Sequence, residues 1–232
     1  MTALESGFRL CFERYLAWLL RRSFRGVWIA RDAAFPPGGF IAIANHSSWW
    51  DGFVPYALQR RVAPQTPFAL MMASSQLRRF PYFRLGGAFG VDPARKRAAF
   101  ASVEHAAASA RSGAGVWIFP QGAIRPPYEP LRFARGYLHA ARRADVPIVP
   151  VAIRLTMMEA QRPDAFVEIG EPLDPHDAEC ATRAPAAVRA LLFSLDLDIA
   201  RGTVFRNRSS LFERAAGVDD VVSRFAANAQ RS

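Results

Sequence analysis

The sequence predicts a mixed α/β fold: a mostly parallel central sheet flanked by helices, with an N-terminal amphipathic helix and a helical C-terminal tail. Two observations support this prediction. Short apolar segments that end at glycine, proline or polar residues, as buried strands do, alternate with longer segments of helical periodicity. The 232 residues are also enough for one such domain with a full core.

The first 25 residues are predicted to form an amphipathic helix that associates with a membrane. Glu5, Arg9 and Glu13 fall on one side of it, and arginines follow its end. The other side carries the apolar residues between positions 3 and 23: Leu4, Phe8, Cys11, Phe12, Tyr15, Leu16, Trp18 and Leu19. A wide aromatic face beside arginines is typical of interfacial helices, and packing of this face on the protein's own core is the open alternative.

Residues 26–175 are predicted to form the main domain, and residues 176–232 a helical extension of it. Strands are predicted at 27–30, 40–44, 68–72, 86–92, 116–119, 146–153 and 166–170, and helices at 52–60, 94–111, 133–144 and beyond 177. Pro147 and Pro150 cannot donate a ladder hydrogen bond, so the 146–153 strand is expected at a sheet edge or in an irregular position.

The most informative segment follows the apolar run 40–44. Asn45 and His46 stand at the predicted carboxyl end of this strand, where open α/β sheets bind ligands. A turn through Ser47 and Ser48 would fold Asp51 back, so that its carboxylate accepts a hydrogen bond from one ring nitrogen of His46 and the other nitrogen takes a proton. The alternative is that Asp51 only caps the next helix and His46 is an ordinary loop histidine.

A second apolar strand, 116–119, also ends at a turn with functional features. Gly122 allows a ligand to approach the backbone closely, and Arg125 offers a guanidinium that can bind phosphate through two hydrogen bonds. A rigid turn without a ligand is the alternative. Arg95, Lys96 and Arg97 begin the helix at 94–111, where the helix dipole disfavours cations, so an anionic ligand or plain solvation would explain them.

Composition narrows the classes of partner. The net charge of +10 points to an anionic partner, and the scattered arginines, without interleaved aromatic residues on a surface strand, argue against nucleic acid. Cys11 and Cys180 fit no zinc spacing, so we expect no metal site. No stretch reaches the roughly 18 apolar residues of a spanning helix, and we expect a peripheral protein at the cytoplasmic face of a membrane.

In this order, the segments resemble the lysophospholipid acyltransferase superfamily, the glycerolipid acyltransferases related to bacterial lysophosphatidate acyltransferase. Four blocks match between residues 40 and 173. His46 and Asp51 match a His-x4-Asp motif, and the turn from Phe119 matches a Phe-Pro-Glu-Gly-Thr-Arg block. Residues 87–95 match a Gly-x-x-Phe-Ile-Asp-Arg block in part, and residues 146–151 match a strand that contains proline.

The resemblance implies an O-acyltransferase that moves a fatty acyl group from an acyl thioester to a hydroxyl of a membrane lipid. His46 would be the general base and Asp51 would hold its ring. The residues implied to bind substrate are Asn45, Arg95, Gln121, Gly122 and Arg125. No cofactor is implied, because the donor, acyl-CoA or acyl-acyl carrier protein, is a co-substrate. The chain has no Gly-x-Ser-x-Gly nucleophile, which agrees with direct transfer.

Several positions depart from the family pattern. Gln121 replaces a glutamate, Ala123 a threonine and Pro93 an arginine, while Arg125 and Arg95 lie one and two residues beyond the expected positions. In the family these blocks bind the glycerol phosphate of the acceptor. A neutral glutamine suits a hydroxyl-rich head group, so a glycosylated lipid such as a glycosyl carotenoid is the alternative to a lysophospholipid. A thioesterase or esterase with the same base is a more distant alternative.

Overall fold

The apolar segments form one sheet in the computed structural model, which describes residues 3–30 and 33–211. The strands are β1 (Gly26–Ala30), β2 (Phe40–Ala44), β3 (Phe68–Ala73), β4 (Ala88–Val91), β5 (Gly115–Ile118), β6 (Ile148–Thr156), β7 (Asp164–Ile169) and β8 (Arg208–Ser210). The helices are α1 (Ala3–Ser23), α2 (Val54–Val62), α3 (Ser74–Arg79), α4 (Lys96–Arg111), α5 (Gly136–Ala144) and α6 (Cys180–Ala200), with 3₁₀ helices at Trp49–Gly52 and Pro81–Gly86.

The sheet has the order β4–β3–β5–β2–β6–β7–β1–β8. The five strands from β4 to β6 are parallel, β7 pairs with β6 in the antiparallel direction, and β8 pairs with β1 in the antiparallel direction. The prediction of a mixed, mostly parallel sheet flanked by helices is therefore confirmed, as is the N-terminal helix. Because β2 lies between β5 and β6 and all five of its residues are buried, the residues after it emerge near the middle of the carboxyl edge.

The expected position of the proline-containing strand was wrong. β6 lies inside the sheet and pairs with β2 on one side and β7 on the other. Pro150 is tolerated because its carbonyl faces the β7 side, where it accepts from Gly170 just beyond the end of β7. The β6–β7 ladder begins only at Val151, so the missing N–H of Pro150 removes no bond from it.

Helices cover both faces of the sheet. One apolar cluster joins α1, α2 and the Pro81–Gly86 helix to one face, and a second joins α4, α5 and α6 to the other. The helix α1 contributes Phe12, Leu16 and Leu20 to the first cluster, and these residues recur every four positions along it. None of the described helices is long and apolar enough to span a membrane.

Four elements were absent from the prediction: α3, β8 and the two 3₁₀ helices. Residues 86–92 were predicted as one strand, but Gly87 has a φ of +91°, and a Cβ there would lie 2.2 Å from the carbonyl oxygen of Phe68. The chain therefore turns at Gly87 and β4 begins at Ala88. The predicted C-terminal helix is present as α6, whereas the part of that prediction beyond Leu211 lies outside the described residues.

Candidate active site

Asn45, the first residue after β2, extends the sheet with its side chain. It is 3% exposed, and its amide donates to the carbonyl of Ile153 and accepts from the N–H of the same residue, both at 2.8 Å. The side chain thus pairs with β6 at the point where the backbone of β2 has ended. Asn45 was predicted to bind substrate, and the structure gives its amide a partner within the sheet.

His46 and Asp51 lie in contact. The carboxylate Oδ2 of Asp51 is 3.1 Å from Nδ1 of His46 and also accepts from the N–H groups of Ser47 at 2.6 Å and Ser48 at 2.8 Å. Asp51 is fully buried, whereas the His46 side chain is 20% exposed. An ionised Asp51 requires the proton of the imidazole to sit on Nδ1, so Nε2 carries the lone pair.

Asp51 is not the N-cap of α2, as the alternative expected, because Phe53 holds that position. Ser48 is the residue that precedes the Trp49–Gly52 helix, and its hydroxyl accepts from the N–H of Trp50 at 3.1 Å. Asp51 returns the interaction by accepting from the N–H of Ser48, which completes a capping box. The same carboxylate therefore organises the turn and holds the imidazole.

The turn after β5 holds His46 from the other side. The side-chain oxygen of Gln121 accepts from the N–H of His46 at 2.7 Å, and the N–H of Arg125 donates to the carbonyl of His46 at 2.8 Å. The ring of Phe119 stacks on the imidazole with 4.5 Å between centroids and 26° between planes. Gly122, at φ +70°, allows the tight bend in this turn.

The two predicted arginines differ in position. The backbone of Arg125 contacts His46, and its half-exposed side chain lies 4.0 Å from Glu129. Arg95 follows β4, with β3 and β5 between its strand and β2, and its side chain is 83% exposed with Asp92 at 3.5 Å. The structure therefore brings together His46, Asp51 and the Gln121–Arg125 turn, and leaves Arg95 apart.

Phe119 was not among the predicted site residues, although it is the first residue of the block that matches Phe-Pro-Glu-Gly-Thr-Arg. The block gave no indication that the ring would stack on His46. Trp49, which lies between His46 and Asp51 in the sequence, was not predicted to be exposed: it is 47% exposed, and its ring contacts Trp50 and Phe53. Within the described residues, no group of three or more His, Cys, Asp or Glu side chains could hold a metal.

A family model for acyltransferases matches residues 15–154, which is more than half of the chain. The chain belongs to the acyltransferase family. All four sequence blocks start and end within the matched region, so the predicted resemblance is confirmed at the level of the family. A comparison with curated proteins finds no match.

Among solved structures, this acyltransferase is similar to PlsC, a 1-acyl-sn-glycerophosphate acyltransferase from Thermotoga maritima. The sequence identity is 22% and the TM-score is 0.55, over 82% of this chain and 79% of PlsC. At this identity, the similarity shows that the two proteins share a fold.

Replacement of Asn45 by alanine should destabilise the protein, because the N–H and carbonyl of Ile153 would lose their partners while buried. We expect the free energy of unfolding in urea to fall by about 2 to 5 kcal/mol. Gln76→Ala, on the exposed side of α3, is the control and should change it by less than about 0.5 kcal/mol. An Asn45→Ala variant with normal stability and a raised KM for the acceptor would instead support the predicted role in substrate binding.

Proposed function

We propose that this acyltransferase transfers a fatty acyl group from an acyl thioester to a hydroxyl group of a membrane lipid, with His46 as general base. The observation that carries this proposal is the His46–Asp51 contact at 3.1 Å, at the carboxyl edge of the sheet of a protein of this family. The donor is acyl-CoA or acyl-acyl carrier protein, and no cofactor takes part.

The reaction needs one base and no enzyme-bound acyl group. Nε2 of His46 removes the proton of the acceptor hydroxyl as its oxygen attacks the thioester carbonyl. The C–O bond forms, the C–S bond breaks, and the imidazolium returns its proton to the departing thiolate. Asp51 supports this cycle because its buried negative charge stabilises the imidazolium, and because its contact with Nδ1 keeps Nε2 directed away from the turn.

Two classes of acceptor fit this chemistry. A lysophospholipid such as 1-acylglycerol 3-phosphate is the first, because PlsC has the same fold and acts on such a substrate. A glycosylated lipid, including a glycosyl carotenoid, is the second. Gln121 is neutral, Arg95 is highly exposed and stands apart, and Arg125 contacts His46 through its backbone rather than its side chain. Arg95, Gln121, Gly122 and Arg125 stay candidates for acceptor binding.

We further propose that α1 attaches the enzyme to the cytoplasmic face of a membrane. Its outer face exposes Leu10, Tyr15 and Trp18, and Arg22 lies over the Trp18 ring at 5.8 Å. This face is distinct from the one that packs on the core. Tyr82 is also exposed, on the Pro81–Gly86 helix that contacts α1.

The His46→Ala and Asp51→Asn variants should fold normally and lose acyl transfer. Without the proton acceptor, His46→Ala should lower kcat by about 10²-fold or more. An asparagine at 51 can still accept from the turn, but it removes the charge that stabilises the imidazolium. Thiol release and labelled lipid product measure turnover, circular dichroism checks folding, and His139→Ala, exposed on α5, is the control.

Near-normal turnover by a folded His46→Ala variant would refute this mechanism. The same assay tests the alternative of a thioesterase or esterase. Wild-type enzyme incubated with acyl-CoA alone should release little fatty acid. Rapid release of free acid without an acceptor would favour a hydrolase in which the base activates water.

The acceptor preference should depend less on a phosphate than in family members that keep the usual motifs. A site that pairs a phosphate with fixed cations rejects an uncharged analogue strongly, because its buried charges would be left unpaired. The test compares kcat/KM for lysophosphatidic acid, a neutral glycolipid and a glycosylated carotenoid. A strong preference for lysophosphatidic acid that Arg125→Ala abolishes would overturn this expectation.

Flotation with anionic liposomes should depend on the outer face of α1. Trp18→Asp should reduce the floated fraction, and added salt should weaken binding because the flanking arginines contribute through charge. Phe193→Asp is the matched control, because Phe193 is 69% exposed on α6, on the opposite side of the sheet. Unchanged flotation of Trp18→Asp would show that α1 only packs on the core of the protein, as Phe12 does.

A further inference from the structure

The parallel ladder on either side of β2 ends two or three residues before His46. On the β5 side the last paired residues are Ile43 and Ile118, and on the β6 side they are Ala44 and Val151. Pro120 has no N–H with which to continue the β5 side. The backbone of His46 therefore leaves the sheet without regular strand partners.

Two amide side chains continue the pairing where the backbone stops. Asn45 reaches the backbone of Ile153 on the β6 side, and Gln121 accepts from the N–H of His46 on the β5 side. The N–H of Arg125 donates to the carbonyl of His46. Both the N–H and the carbonyl of His46 therefore have hydrogen-bond partners in the turn after β5. The position of His46 is thus set by hydrogen bonds of its backbone as well as by the contact between its ring and Asp51.

We propose that Gln121 is a positioning residue for His46: its side-chain oxygen fixes the backbone of the histidine, while Phe119 supports the ring, so the turn after β5 sets the position of Nε2. The position at which the family has a glutamate thus keeps an acceptor oxygen and loses the charge. Because this oxygen already accepts a hydrogen bond from His46, Gln121 would interact with a substrate mainly as a donor, through its side-chain N–H groups.

A consequence distinguishes positioning from acceptor binding. If Gln121 positions the base, its loss misplaces Nε2 in every step and lowers kcat without changing KM for either substrate. A displacement of about 1 Å is enough to cost about 10²-fold in rate. If Gln121 mainly binds the acceptor, its loss raises the KM of the acceptor and leaves that of the thioester unchanged.

The test replaces Gln121 by methionine, which has a similar size and lacks the amide oxygen, and by glutamate, which keeps an acceptor. Gln121→Met should lower kcat by about tenfold or more with unchanged KM values. Gln121→Glu should recover most of the lost kcat, because a carboxylate oxygen also accepts from the N–H of His46. Gln76→Met, at an exposed site on α3, is the control.

The measurement of kcat and KM rests on the proposed function. A second measurement, which is independent of turnover, is therefore added. Diethyl pyrocarbonate labels imidazoles, and the other three histidines, His105, His139 and His176, are exposed and serve as internal references. Relative to them, His46 should be labelled faster in Gln121→Met than in wild type, because its ring is less firmly held against Phe119. In Gln76→Met and Gln121→Glu the rate should match wild type.

The outcomes separate the two hypotheses. An unchanged His46 labelling rate in folded Gln121→Met, or a raised acceptor KM with normal kcat, would overturn the positioning role. Activity losses that only follow a smaller folded fraction would overturn it as well. If wild type transfers no acyl group to any acceptor, the proposed function fails, while the labelling rates still decide whether Gln121 holds His46.

Discussion

A buried carboxylate sets the conformation of the chain after β2. Asp51 is fully buried, and removing an ionised carboxylate from water costs several kcal/mol unless donors compensate. Its Oδ2 collects three donors: the N–H groups of Ser47 and Ser48 and the imidazole Nδ1 of His46. These groups converge on one oxygen only because the chain turns sharply directly after His46. The turn therefore places Nδ1 of His46 against Asp51 and leaves Nε2 facing away from it.

The interior strands could be predicted from the sequence, because strands buried on both faces are continuous apolar runs. The bounds of β2 agree to the residue. The place of β6 could not be predicted, because whether Pro150 is tolerated depends on where β7 ends in space. β8 gave no apolar signal at all. Its Arg208 is held by Asp198 at 3.2 Å and by Glu168 at 2.6 Å, and the contact with Glu168 joins residues that are distant in sequence.

The candidate site could be predicted where it depends on the ends of neighbouring strands. His46 and Gln121 follow β2 and β5, which are adjacent, so the edge of the sheet brings them together. Arg95 belongs to the block that contains β4, and sequence spacing does not reveal that β3 and β5 lie between β4 and β2. Phe119 begins one of the matching blocks, but its contact with His46 could not be predicted, because stacking on an imidazole leaves no pattern in the sequence.

The basic residues are distributed unequally between the two helical layers. The layer of α1, α2, α3 and the Pro81–Gly86 helix carries nine arginines and two glutamates, whereas α4, α5 and α6 carry seven basic and three acidic residues. Arginine pairs close α1, α2 and α3, where the helix dipole favours cations. Local helix stability thus accounts for the positions of these arginines. Together, they make the layer that contains α1, with its exposed aromatic face, more positive than the other layer. The net charge alone indicated only an anionic partner, and the helices of the layer in which α1 exposes Leu10, Tyr15 and Trp18 carry more of it than those of the other layer.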